Sequence, residues 1–203
     1  MRKSRQEPAG VKQPYHHGDL KAALMTAALQ LIDRHGVKGF SLKDAAASAG
    51  VSTAAPYRHF ADKEALLDAI RGEGFGLFNA SLVAAYAGAE SARDKIVELG
   101  VAYVRFALEH PAHFQLMFSM KGGEGPPEEP GDASGFMLLV QAVAALHPGA
   151  SSQTRDDLVL VCWSLVHGFA MLQREGVFDA TVGSGDAEER LRRALSLLIE
   201  RTV

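Results

Sequence analysis

At 203 residues, with 47% hydrophobic and 22% charged side chains, the chain has the composition of an ordinary folded protein of one large or two smaller domains. No apolar run reaches the roughly 18 residues of a membrane span. The opening MRKSRQEPAG has basic residues but no apolar core, so no secretory signal is expected. A single cysteine, Cys162, excludes an internal disulfide framework and suits a reducing, cytoplasmic setting. The net charge of −3 conceals an asymmetry: up to Lys63 ten basic residues face five acidic ones, which puts +5 on that stretch and −8 on the rest. Only the first third is thereby suited to a polyanion.

Residues 1–17 lack apolar periodicity, carry Pro8 and Pro14, and read as a flexible basic arm. From Gly18 the pattern turns helical, with Leu20, Leu24, Ala27/Ala28 and Leu31 marking one buried face, and His35-Gly36 ends it. Ser41 is placed to cap a short helix from Leu42 to Ala49, with Asp44 in its first turn and Gly50 as its stop. A second short helix is expected from Ser52 or Thr53 to about Phe60. Asp62 then caps a long helix through Leu66, Leu67 and Ile70 and as far as Tyr86, with Gly72, Gly74 and Gly76 weakening its middle.

Farther along, Ala92 to His110 reads as a helix, Pro111 opens a short one, and Lys121 to Gly135 reads as a mobile loop. Helices follow at Phe136 to Leu146, at about Asp156 to Arg174 behind a Ser152 or Thr154 cap, and at about Asp186 to Glu200. The expectation is an all-α chain of about nine helices, divided into a basic arm (1–17), a helix-turn-helix domain (18–63) and a larger helical domain (64–203).

The segment SLKDAAASAGVSTAAPYRHFADKEALL, Ser41 to Leu67, sets two short helices around a glycine turn, the layout of a helix-turn-helix. Ala46 is small where the helices cross, Gly50 makes the turn and Val51 fills beneath it. Leu42, Ala45 and Ala49 pack inward, whereas Lys43, Thr53, Ala54 and Arg58 are left to face the major groove of double-stranded DNA. An αα-hairpin inside any helical protein has the same bare spacing.

The residues Gly50, Val51, Ser52, Tyr57, His59, Phe60, Lys63, Leu66 and Leu67 give this stretch a specific likeness: it resembles the signature of TetR-family regulators, over about Gly18 to Ile70. The resemblance implies phosphate contacts from Ser41, Tyr57 and Lys63, base-edge positions at Lys43, Thr53, Ala54 and Arg58, and a core Phe60. His59 is read either as a phosphate contact or as packing. Pro56 departs from the common pattern, where an aliphatic residue stands. Its missing N–H is tolerated only in a first helical turn, so the recognition helix is expected to begin at Thr53 or Ala54 and to be very short. YHHG at Tyr15 to Gly18 and APY at Ala55 to Tyr57 are similar to strings of one subgroup of the family.

The rest of the chain is rich in large soft side chains, among them Tyr103, Phe106, Phe114, Met117, Met120, Trp163 and His167. Such residues line small-molecule pockets, and they also make ordinary core. WSLVHG, Trp163 to Gly168, resembles the Trp-His-Gly motif of one TetR-type C-terminal domain. The resemblance points to a small apolar inducer held by Tyr103, Phe106, Phe114, Met117, Trp163 and His167, touching the short helix that starts at Pro111. Ser164 and Gly168 are small and four apart, and Leu191, Leu195 and Leu198 form a stripe. These five are assigned to a homodimer interface of the four-helix kind the family uses; the other reading buries both stripes within one subunit.

His16, His17 and Asp19, and His110 with His113, invite a metal reading, but neither cluster completes a zinc ligand set. The chain carries neither a G-x-x-x-x-G-K phosphate loop nor a G-x-S-x-G elbow. No enzyme, metal or cofactor is therefore expected. The functional expectation is a repressor released from a near-palindromic operator by an inducer. The alternative is a DNA-binding scaffold that recruits a protein partner and has no inducer.

Overall fold

The computed structural model describes residues 17–119, 134–182 and 185–200. The expected basic arm, apart from His17, lies outside them, as do Met120 and all but the end of the expected Lys121 to Gly135 loop. The described residues are helical, with no strand among them, and fall into two units, one ending at Leu66 and the other beginning at Leu67.

In the first unit α1 (His17–His35) packs on α2 (Leu42–Ser48). Leu24, Ala28 and Ile32 of α1 are buried, as are Leu42, Ala45 and Ala46 of α2. Gly36 ends α1 with φ +72°, its N–H donating to the Ile32 carbonyl. α2 has a capping box: Ser41 Oγ accepts from the Asp44 N–H, and Asp44 Oδ2 accepts from the Ser41 N–H at 2.7 Å. Its other end is a Schellman turn. Gly50 takes φ +70°, while the Gly50 N–H donates to the Ala47 carbonyl and the Val51 N–H to the Ala46 carbonyl.

The expected second helix is replaced by a turn and one 3₁₀ turn, Pro56–Arg58. A helix from Ser52 would need the residue-56 N–H to reach the Ser52 carbonyl, and proline has none. That carbonyl accepts from the Ala55 N–H instead, three residues on, at 3.0 Å. Thr53 and Ala54 accordingly precede the helical turn, and Pro56 itself is buried. α3 (Lys63–Gly88) then starts behind Asp62, whose Oδ1 accepts from the Ala65 N–H.

The second unit is built around α4 (Ala92–Glu109), against which α5 (Pro111–Met117), α6 (Gly135–Leu146), α7 (Ser152–Arg174) and α9 (Ala187–Glu200) all pack. Ser151, one residue before Ser152 and three before Thr154, caps α7. A five-residue helix, α8 (Val177–Thr181), was not anticipated, because its apolar content is too short to show a period. The glycines of α3 do not break it. Gly74 is where α5 comes close: a Cβ there would stand 2.9 Å from Met117 Sδ. Gly100 does the same for α9, since its Cβ would meet Leu195 Cδ1 at 2.5 Å. Arg105 to Glu188, Arg192 to Glu98 and Arg93 to Glu200 pair α9 with α4 along its length. No helix among the described residues is long and apolar enough to cross a membrane.

Candidate DNA-reading face and ligand cavity

Ser41, Lys43, Thr53, Ala54, Tyr57 and Arg58 all lie on the surface of the first unit, Tyr57 with 55% of its area exposed. Lys63, expected as a phosphate contact, is held within the first unit. Its ammonium donates to the Val37 carbonyl at 2.7 Å and the Phe40 carbonyl at 2.6 Å, and lies 4.1 Å from the Phe40 ring centre. The loop between α1 and α2 leaves those carbonyls outside either helix, and a cation answers both at once. His59 is half-buried with Nε2 enclosed and without a hydrogen-bond partner, which favours the packing alternative. Asp44 keeps its carboxyl below the usual range, first because the Ser41 hydroxyl donates to it and then because the Ser41 N–H does.

The second unit contains a cavity of about 440 Å³. α3 contributes Phe75, Phe78, Asn79 and Leu82; α4 contributes Leu99, Gly100 and Tyr103; α6, α7 and α9 contribute Phe136, Trp163 and Leu195 among others. Of the six residues expected to hold a ligand, Tyr103 and Trp163 line this cavity. Phe106, Phe114 and Met117 are buried in the core beside it and His167 stands behind Tyr103, so those four are corrected from lining to support. The physical reason is crowding of rings: Phe114 stacks on His167, Phe118 packs on both, and Phe78 meets Phe106 edge-on at 5.1 Å. Trp163 instead stands edge-on to Phe136.

The Tyr103 hydroxyl and His167 Nδ1 are 2.8 Å apart, and Trp163 lines the same cavity as Tyr103. Burial pushes the Tyr103 pKa well up, so the phenol keeps its proton, and burial lowers that of His167, so the ring stays neutral. A neutral pair of this kind exchanges one hydrogen bond without burying a charge. Cys162, also on the cavity wall, has its thiol pushed up to about 11 by burial, which makes it unreactive packing.

Asn79 escaped the sequence reading, although it is the single amide on the cavity-facing part of α3. An amide among Phe75, Phe78 and Leu82 was the available signal. Its Oδ1 accepts the Gly135 N–H at 2.7 Å, which ties the start of α6 to α3.

The stripe assigned to a partner subunit is corrected in part. Leu191 and Leu195 are wholly buried in the subunit's own core, and Leu198 packs against that core, because Gly100 lets α9 settle onto α4. Ser164 is exposed and the space around Gly168 is open. On the same outer side of α7 stand Leu160, Val161, Met171 and Leu172, and α9 exposes Leu197. Among the described residues no three His, Cys, Asp or Glu side chains gather as a metal site.

A capped short helix followed by a 3₁₀ turn, with exposed basic residues, is joined in one chain to a helical unit that carries an apolar cavity. Residues 24–70 match the family described as bacterial regulatory proteins, tetR family, and residues 96–198 match the tetracyclin repressor-like C-terminal domain. The chain belongs to the TetR family of transcriptional regulators, DNA-binding proteins that are not enzymes. It is 26% identical over 159 residues to an uncharacterised helix-turn-helix transcriptional regulator of Mycobacterium tuberculosis, covering 78% of this chain and 72% of that one. Its structure is similar to that of a protein of unknown function from Rhodococcus sp. RHA1, with a TM-score of 0.76, 34% identity and coverage of 94% and 98%. In fold it is also similar to an Acinetobacter baumannii TetR variant solved with minocycline, at a TM-score of 0.61 and 19% identity, covering 89% of this chain and 94% of that one.

Proposed function

We propose that the chain is a homodimeric repressor that holds a near-palindromic operator and is released from it by a small, mainly apolar inducer. The observation that carries this reading is the 440 Å³ cavity, with Trp163 on its wall, inside the second unit. An Acinetobacter baumannii TetR variant of similar fold was solved with minocycline, in keeping with a small-molecule ligand.

In this reading residues 18–63 read DNA and residues 64–203 bind the effector and pair the subunits. Ser41 and Tyr57 hold phosphates, while Lys43, Thr53, Ala54 and Arg58 face base edges in a groove about 12 Å wide. Lys63 and His59 act from inside by setting the shape of that face. Ser164, Gly168 and the exposed apolar side chains of α7, with Leu197, form the subunit contact. The Trp-His-Gly string belongs to this proposal too, with His167 holding the Tyr103 hydroxyl and Trp163 on the cavity wall.

One short reading turn specifies too few base pairs alone, so two copies should meet major grooves about 34–36 Å apart or a multiple of that. The test selects bound sequences from a random DNA pool with the purified protein, then footprints the winner. Two related half-sites occupied by two subunits are expected. A single unpaired site bound by one subunit would overturn the dimeric reading.

A further inference from the structure

The chemistry of the cavity wall specifies its ligand more narrowly than "small and apolar", and the inference rests on the inducer reading above. Among the described lining residues none carries a charge. A carboxylate, phosphate or ammonium brought there would be stripped of water with no countercharge to meet it. The wall is instead rich in ring edges and faces: Phe75, Phe78, Tyr103, Phe118, Phe136 and Trp163. Rings of this kind receive another ring edge-on or offset, with a gain beyond simple burial.

The polar groups on the wall are sorted by what they have left to give. Tyr103 is engaged by His167. Asn79 differs. Because its Oδ1 accepts the Gly135 N–H, the amide must be oriented with its NH₂ turned the other way, and that group keeps two donor hydrogens. Ser134 stands at the same rim. Its Oγ accepts the Met137 N–H as the cap of α6, which leaves its hydroxyl hydrogen to donate. The unfilled positions of this corner, at the start of α6, are therefore donors.

We infer that the cavity takes an uncharged, ring-containing, mainly apolar molecule that carries one hydrogen-bond acceptor, such as a ketone, quinone or lactone carbonyl, and that Asn79 with Ser134 receives that acceptor. The rings supply burial, the amide supplies orientation, and the described lining residues offer an anion no countercharge.

The single tryptophan of the chain stands on the same wall and reports occupancy directly. Three naphthalene probes of nearly equal size separate the terms: methyl naphthyl ketone, ethylnaphthalene and naphthoate. Titrated into the full-length protein without DNA, the ketone is expected to quench Trp163 emission and to bind about tenfold more tightly than ethylnaphthalene, the worth of one well-formed hydrogen bond. Naphthoate should bind about a hundredfold more weakly than the ketone, or not at all.

Asn79→Asp keeps an oxygen for the Gly135 N–H and removes the donor hydrogens, and Asn79→Ala removes both. In each variant the preference for ketone over hydrocarbon should fall to about one, with thermal melting recorded to confirm a folded chain. Equal binding of ketone and hydrocarbon by the wild type, naphthoate binding as tightly as the ketone, an unchanged preference in both variants, or quenching by none of the three would each overturn the inference. The assay contains no DNA, so it is separable from the inducer reading. A ketone that binds through Asn79 but leaves DNA affinity unaltered would refute release alone, whereas an anion that releases DNA would refute this ligand class alone.

Discussion

In the first unit the side chains offered to DNA stand on the outside of a fold made by short-range bonds. Ser41 and Asp44 close a box across three residues, and the Schellman turn at Gly50 closes within five. In the second unit the polar groups beside the cavity have partners far away along the chain. Tyr103 and His167 are 64 residues apart, and Asn79 and Gly135 are 56 apart. A surface built by local bonds can change its side chains freely and alter what it reads. A cavity built by distant helices changes its ligand only by repacking, so its specificity is tied to its stability.

The largest expected effect tests the inward face of α9. Leu195 is fully buried, so Leu195→Ala should cost the subunit about 2–5 kcal/mol in urea unfolding and leave the subunit contact in place. Leu160→Asp should do the reverse. With 59% of its area exposed in the single chain, Leu160 contributes little to the subunit core, yet a charge there should dissociate the dimer in sedimentation experiments. If Leu195→Ala dissociated subunits without destabilising them, the stripe would return to the interface.

The next comparison lies within the first unit. Lys63→Ala removes two charge-assisted bonds and should cost about 2–3 kcal/mol of stability, read by denaturation of the free protein. Tyr57→Phe touches an exposed hydroxyl and should leave stability unchanged while weakening binding to all DNA sequences alike. Arg58→Ala should relax preference at particular base pairs, by about 1–3 kcal/mol each, in binding to single-substituted operators. An equal loss on operator and random DNA would make Arg58 a phosphate contact.

The smallest effect is the pH response of the second unit. Burial lowers the His167 pKa below its ordinary 6.5, so on acidification the unfolded chain takes up this proton first. The stability supplied by the neutral ring is complete above that ordinary value and is lost as pH falls through the folded one. Urea midpoints of wild type and His167→Gln between about pH 7 and pH 5 should show a shallower fall in the variant. Parallel curves would remove His167 from that response.

What the sequence revealed follows the same local-against-distant line. Ser41 as a cap, Gly50 as a stop, Asp62 before α3 and the break at Pro111 were legible because each acts on neighbours within a few residues. Pro56 was legible as a constraint, but its consequence, a 3₁₀ turn in place of a helix, depends on which carbonyl loses its partner. Lys63 was assigned outward because nothing in its own neighbourhood shows the carbonyls of Val37 and Phe40, 26 and 23 residues earlier. The cavity was half legible. Trp163 was singled out by the string it resembles and Tyr103 with it as one of several large side chains, whereas separating them from Phe106, Phe114 and Met117 requires knowing which rings crowd together. Leu191 and Leu195 form a good stripe, and a stripe does not say which neighbour covers it.

The central claim is that occupancy of the cavity in the second unit governs DNA binding by the first. Its most direct test is operator affinity, by fluorescence anisotropy on the selected site, with and without the compound that quenches Trp163 most tightly, in wild type and in Asn79→Ala. A ligand shifts the equilibrium only through its differential affinity for the two states, typically about 1–3 kcal/mol. The account predicts a wild-type affinity about 5- to 150-fold weaker with ligand than without, and a much smaller change in Asn79→Ala at the same ligand concentration. Unchanged operator affinity in wild type under saturating, Trp163-quenching ligand would contradict it.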